Sequence, residues 1–210
     1  MTLLMPEILL INASPRPKTS VGYQLTNELL DALRRRKPSL VVTRRDLQGE
    51  ALAPLDRLYA EALTRRTADT DPVFALSERL IAEIERSDAL LIATPMHNFT
   101  LPAAFKLWID LVVRIGRTFA STAEGKVGLL ADRPVHVIVS SGGFHRGARA
   151  RQPDFLTAYL RHVLGTIGLF DVRFVYLEGL VTGEETVRAE VEAARQRLLL
   201  EPLFAELVPA

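Results

Sequence analysis

Ser14, Thr19 and Ser20 bring hydroxyls together just ahead of Leu25, Leu29, Leu30 and Leu33, whose spacing is helical. Hydroxyls beside the free N–H groups of a helix start make a cradle for a phosphate. The same residues also suit a plain helix cap, with Ser20 at the cap position, and alone that reading is the simpler one. The turn Asn12-Ala13-Ser14-Pro15-Arg16-Pro17, followed by Val21 and Gly22, carries neither a Walker Gly-Lys-Ser/Thr signature nor a GxGxxG turn. A second stretch, Pro95-Met96-His97-Asn98-Phe99 with Pro102, is stiffened by its prolines and offers apolar surface. It suits the edge of a flat ring, or equally a strand-to-helix turn with Pro102 near the first helical position. In a third stretch, Ser140-Ser141-Gly142-Gly143-Phe144-His145, paired glycines allow close backbone approach to a ligand or simply a tight turn. His97 and His145 taken singly are as well suited to structural hydrogen bonds as to acid–base work.

Other chemistries are excluded by what is missing. The 210 residues contain no cysteine, so disulfides, thiolate metal sites, iron–sulfur clusters and a cysteine nucleophile are ruled out. That also removes the low-molecular-weight tyrosine phosphatases. Asn12-Ala13-Ser14 stands where a response-regulator receiver needs acidic metal ligands. His97, His136, His145 and His162 show no metal-ligand spacing, so no metal site is expected. Lys plus Arg number 26 and Asp plus Glu 25, a net charge of +1, which gives no footprint for nucleic acid and no polybasic membrane anchor. No apolar run approaches the ~18 residues of a membrane helix. The N-terminus lacks a basic region before its apolar residues, so no signal peptide is read, and a cytoplasmic location is expected.

These stretches need a scaffold. A continuous apolar run at 8–11 and largely apolar segments at 40–43, 89–93, 134–139 and 172–177 suit strands of a parallel sheet buried on both faces. Helical spacing follows each: after Ser20, then at 55–67 and 73–86, at 101–117, at 155–167 and at 184–207. Arg34-Arg35-Arg36-Lys37 closes the first helix, where cations complement its dipole. Strands alternating with helices predict one α/β domain over 1–210, a doubly wound five-stranded parallel sheet of flavodoxin-like order 2-1-3-4-5. Its ligands bind beyond the strand carboxyl ends, and the three stretches above follow the first, third and fourth strands. Over 101–117, ahead of the closing Arg117, Lys106, Asp110 and Arg114 form one narrow polar stripe on an otherwise apolar surface, which predicts burial in a subunit interface as well as in the core.

The Ser14-Pro15-Arg16 turn with Ser20, the Pro95-to-Phe99 loop and the Ser140-to-His145 loop resemble those of the FMN-dependent NADH azoreductases, flavodoxin-like quinone reductases. The likeness runs from the first strand to about Gly179 and includes Thr118-Phe119, Leu164-Gly165-Thr166-Ile167-Gly168 and Glu178-Gly179. It implies that Ser14, Ser20, Val21 and Gly22 hold the FMN phosphate. It implies that Pro95, Met96, His97, Asn98 and Phe99 line the isoalloxazine, with backbone amides near its N5 and O4 edge. Ser140, Ser141, Gly142 and Gly143 would contact the pyrimidine side. The resemblance further implies a homodimer with active sites at the interface. Two positions depart from the family pattern: Gly22 replaces a common second serine, and Ala120 replaces an aromatic residue reaching toward the partner's substrate.

The implied activity is reduction of quinones and azo compounds by NADH or NADPH, with hydride passing through flavin N5 by alternate binding of donor and acceptor. Asn98 and His145 are the candidates for positioning the acceptor. The competing readings are a non-catalytic flavin-binding regulator or electron carrier, and an FMN reductase that releases free reduced flavin.

Overall fold

The structure, a computed structural model, describes residues 6–16, 18–50 and 52–207. Residues 1–5, the start of the segment read for a signal peptide, and Pro17 of the first turn lie outside them. The chain begins β1 (Glu7–Asn12), α1 (Val21–Arg36), β2 (Val41–Asp46), α2 (Arg57–Arg65), α3 (Ala75–Arg86) and β3 (Ala89–Pro95). It continues α4 (Ala103–Val112), β4 (Phe119–Thr122), β5 (Gly125–Gly128), β6 (Val135–Ser140), α5 (Leu156–Thr166), β7 (Val172–Leu177) and α6 (Glu184–Leu199). The central sheet is parallel and five-stranded, in the order β2-β1-β3-β6-β7. β4 and β5 form a separate antiparallel pair.

Alternate side chains of the strands feed two cores, as the pleat requires. Leu9, Ile11, Leu90, Ile92, Val137 and Val139 pack with α3, α4 and α5. Ile8, Leu10, Leu91 and Ile138 pack with Leu25, Leu29, Leu30 and Leu33 of α1 and with Leu198 of α6. Both faces of the sheet are thus covered, and its C-terminal edge is left to the loops.

Two helices, α4 and α6, stop well before their predicted ends. α4 stops at Val112, and Gly116 turns the chain at φ +79°. Arg114 therefore does not extend the stripe of Lys106 and Asp110, which pair with each other across one turn. It is 2% exposed, and its guanidinium reaches Ser77 Oγ at 2.9 Å, Asp69 at 2.8 Å and Glu78 over the Phe74 ring at 4.4 Å. A buried cation requires such partners. Phe105, Trp108, Ile109, Leu111 and Val112 are buried within this one chain, so the apolar character of α4 is accounted for without a second subunit. The last helix ends at Leu199 and Pro202 opens a 3-10 turn, because proline cannot continue the α-helical ladder.

Candidate active site

Asn12, Pro95 and Ser140 end three adjacent strands, so the loops that follow them are neighbours along one edge. Backbone bonds continue the sheet into those loops. Ala13 N–H donates to Ala93 O, and Met96 N–H donates to Ser140 O, both at 2.9 Å.

The first loop is held by its own polar residues. Asn12 Oδ1 accepts from Ser14 N–H at 3.1 Å, and its amide donates to Asp46 at 3.3 Å. Ser14 is buried, and its Oγ accepts from Arg16 N–H at 3.2 Å while its own proton can still be donated. Ser20 occupies the N-cap position of α1, yet its side chain makes no cap hydrogen bond. The first bond of the helix runs from Gln24 N–H to Ser20 O, so the N–H groups of Val21, Gly22 and Tyr23 have no intrahelical acceptor. No acidic residue stands in the first turn. This donor set suits an anion.

The second loop makes a tight reversal. His97 and Thr100 exchange both backbone hydrogen bonds, at 2.9 and 3.0 Å, and Asn98 and Phe99 between them have φ of +47° and +70°. Positive φ at both central positions is the pattern of a type I′ turn, which favours Asn and Gly. Phe99 is neither, and a left-handed residue with a Cβ costs roughly 1–2 kcal/mol. The reversal leaves His97, Asn98 and Phe99 exposed at the sheet edge.

In the third loop the glycines serve space rather than dihedral freedom: neither Gly142 nor Gly143 has positive φ. A Cβ at Gly143 would lie 2.6 Å from Gln152 Oε1, and one at Gly142 would lie 3.1 Å from Val181. β7 fastens the loop through Ser141 N–H to Leu177 O at 2.8 Å and Gly179 N–H to Gly143 O at 3.0 Å. The buried Glu178 accepts from His145 N–H at 2.7 Å. His145 Nδ1 lies 2.9 Å from Pro153 O; a carbonyl only accepts, so Nδ1 carries the proton and the neutral ring has Nε2 as an acceptor. Asp154 anchors the far end of the segment, accepting from Leu156 and Thr157 N–H at 2.9 Å and from Tyr176 O–H at 2.8 Å. Burial alone would raise the Asp154 pKa, but the Thr157 hydroxyl, at 2.6 Å, and these donors outweigh it and hold the carboxyl below its usual range.

The residues expected to hold a cofactor therefore lie on these three loops or where they meet β3, β6 and α1, whereas Ala120 lies in β4. What periodicity did not reveal is the left-handed turn at Asn98 and Phe99, for which Asn98 was the one local signal. Also unforeseen were the long-range fasteners Glu178 and Asp154. A separate cavity of about 650 Å³ lies between α2 and the root of the β4–β5 pair, lined by Phe74, Arg114 and Ala120 among others. It contains no residue of the three loops among those described. No group of three or more metal-ligating side chains occurs among the described residues, and no described helix is long and apolar enough to cross a membrane.

Comparison with known proteins gives a consistent result. Residues 6–200 match the family model for the flavodoxin-like fold. The chain is 64% identical over 206 residues to FMN-dependent NADH:quinone oxidoreductase 4 of Pseudomonas fluorescens, covering 98% of this chain and 100% of that one. It is 51% identical over 201 residues to FMN-dependent NADH:quinone oxidoreductase 5 of Burkholderia lata, covering 96% and 97%. Among solved structures, an azoreductase of Bacillus anthracis shares the fold with a TM-score of 0.78 at 24% identity, over 92% of this chain and 98% of that one. An FMN-dependent NADH-azoreductase of the same species, in complex with FMN, gives 0.76 at 20% identity, over 91% and 97%.

Proposed function

The chain belongs to the FMN-dependent NADH:quinone oxidoreductases of the flavodoxin-like fold, and from that premise we propose that it reduces quinones with NADH at the edge formed by its three loops. Azo compounds are a second acceptor class, on the motif resemblance. The observation that carries the assignment to this edge is the hydrogen bond from Met96 N–H to Ser140 O, which joins the ring-lining loop to the glycine loop beside the anion-binding start of α1. We read the central sheet as the order 2-1-3-4-5 when its strands are counted alone, and such sheets bind ligands at the switch point beside the first strand.

The residues fit FMN, which has a doubly charged phosphate at one end and a flat ring at the other. The N–H groups of Val21 and Gly22, with the hydroxyls of Ser14 and Ser20, would hold the phosphate. Pro95, Met96, His97, Asn98 and Phe99 would line the ring, with the left-handed turn fixing where their amides point. Ser141, Gly142 and Gly143 would close the pyrimidine side. FMN, when bound, would supply the two-electron relay between nicotinamide and acceptor. Asn98 can donate a hydrogen bond to a quinone oxygen. His145 Nε2 can accept one from the hydroxyl of the product, and the bond to Pro153 keeps its ring oriented for that.

The whole chain acts as one flavin-binding domain and as a homodimer, in the cytoplasm where NADH is available. With no dinucleotide fingerprint in the sequence, donor and acceptor share one open face and bind in turn. The test is a panel of quinones and azo dyes with NADH and NADPH on protein passed through gel filtration. Retained flavin and quinone-dependent NADH oxidation are expected. Flavin lost on the column, with activity only toward added free FMN, would replace this reading with that of an FMN reductase.

A further inference from the structure

We propose that Ser140 belongs to the phosphate end of the site and supplies the hydroxyl that residue 22 does not. This rests on the FMN reading above. Gly22 is the second residue of α1 and is buried. A Cβ there would lie 2.7 Å from Ser140 Oγ and 3.1 Å from Ile138 Cγ2. A side chain there would force the Ser140 hydroxyl to turn away and would press on Ile138, so glycine lets the start of α1 lie against Ser140 with its hydroxyl in this rotamer. The Ser140 hydroxyl is the one polar group among the three nearest neighbours of the space that a side chain at position 22 would fill, the others being Ile138 and Leu177.

That place is part of the anion cradle. Helix Cβ bonds lean toward the N-terminus, so a group against the Cβ position of residue 22 sits toward the open first turn of α1. The unbonded N–H groups of Val21, Gly22 and Tyr23 are there, and Ser20 stands one turn-start earlier with no cap bond. The backbone of Ser140 is fixed by Met96 N–H on its carbonyl at 2.9 Å. Its hydroxyl can rotate to donate to a phosphate oxygen. The cradle is therefore built from the loops after β1 and β6 together, and Gly22 with Ser140 forms one complementary pair across them.

Apoprotein titrated with FMN and with riboflavin, which lacks the phosphate, tests this through quenching of flavin fluorescence. Wild type should prefer FMN. Ser140→Ala should bind FMN about tenfold more weakly, as expected for a lost hydrogen bond to a charged group, with riboflavin affinity unchanged. Equal losses for both ligands would put Ser140 at the ring or ribityl chain and overturn the proposal, as would no loss for either. If Ser140→Ala melts at markedly lower temperature, Ser140→Cys, similar in size but a feeble donor, decides by the same criterion. A wild type that binds neither flavin would instead defeat the functional reading on which the proposal rests.

Discussion

The rings of Phe99 and His145 meet edge to face, 6.4 Å apart at 62°. They come from the loops after β3 and β6, and Phe155 N–H adds a bond to Phe99 O at 3.1 Å. Two segments distant in sequence are thereby braced into one wall beside the proposed ring site. An aromatic contact of this geometry contributes about 0.5–1.5 kcal/mol beyond burial. It helps offset the cost of holding Phe99 at positive φ, and strain kept at a site in this way fixes where backbone groups point.

Asn98 separates backbone from side-chain roles. Asn98→Gly suits the left-handed conformation, so melting temperature and FMN affinity should stay near wild type while kcat/KM for quinone falls. Asn98→Val places a β-branched residue at φ +47°, which should lower stability by roughly 1–2 kcal/mol and weaken FMN binding. Thermal melts and flavin titrations of both variants measure this. A valine variant as stable as wild type would contradict the turn geometry.

Ser20→Ala should weaken FMN binding about ten- to a hundredfold, through loss of a hydroxyl bonded to a charged phosphate. The apoprotein should melt where wild type does, since the Ser20 side chain makes no cap bond. Calorimetric titration with FMN and melting of the apoprotein give the two readouts. Unchanged FMN affinity would place the phosphate elsewhere.

His136 predicts acid sensitivity. It is 1% exposed beside Phe204, and neither ring nitrogen has a partner. Burial lowers its pKa from the ordinary 6.5, and Arg173 lowers it further, while Glu201 and Asp171 act in the opposite direction. The folded state thus resists a proton that the unfolded state takes up. Stability is full above about pH 6.5 and falls as pH drops from there to the depressed folded value. Urea unfolding at about pH 7.5 and about pH 5 should show the loss in wild type. The change over that interval should be smaller in His136→Phe, and an equal change in both would assign the acid sensitivity to other groups.

The proposed homodimer can be probed outside the core, where Val112 is fully buried. Ile115 is 47% exposed just beyond α4. If that surface is covered by a second subunit, Ile115→Glu should lower dimer content in light scattering and leave the circular dichroism spectrum intact. A wild-type protein that is monomeric, flavin-loaded and fully active would refute the dimer.

Sequence reveals the scaffold where burial dictates residue type on both faces. Ile8 to Ile11 and Ala89 to Ala93 are continuous apolar runs, and they are central strands. It fails where partners are remote. Arg114 looks like one more polar residue of a helical stripe until Asp69 and Glu78 surround it. The β4–β5 pair is short and mostly exposed, so Phe119 to Gly128 carries no apolar alternation to read. The three loops were legible because serine, proline, asparagine and glycine clusters end apolar runs. Their fastening by Glu178 and Asp154, and the fit of Gly22 against Ser140, depend on neighbours that only the fold brings together.

Anaerobic reduction of the purified holoprotein with NADH, followed in the visible flavin absorbance and then by addition of a quinone, decides whether the flavin carries electrons between them. One FMN per subunit is expected, bleached by NADH alone and restored by the quinone pulse, with parallel double-reciprocal lines in steady state. A colourless protein that takes up no added FMN, or bound flavin that neither NADH nor NADPH bleaches, would contradict this role of the flavin.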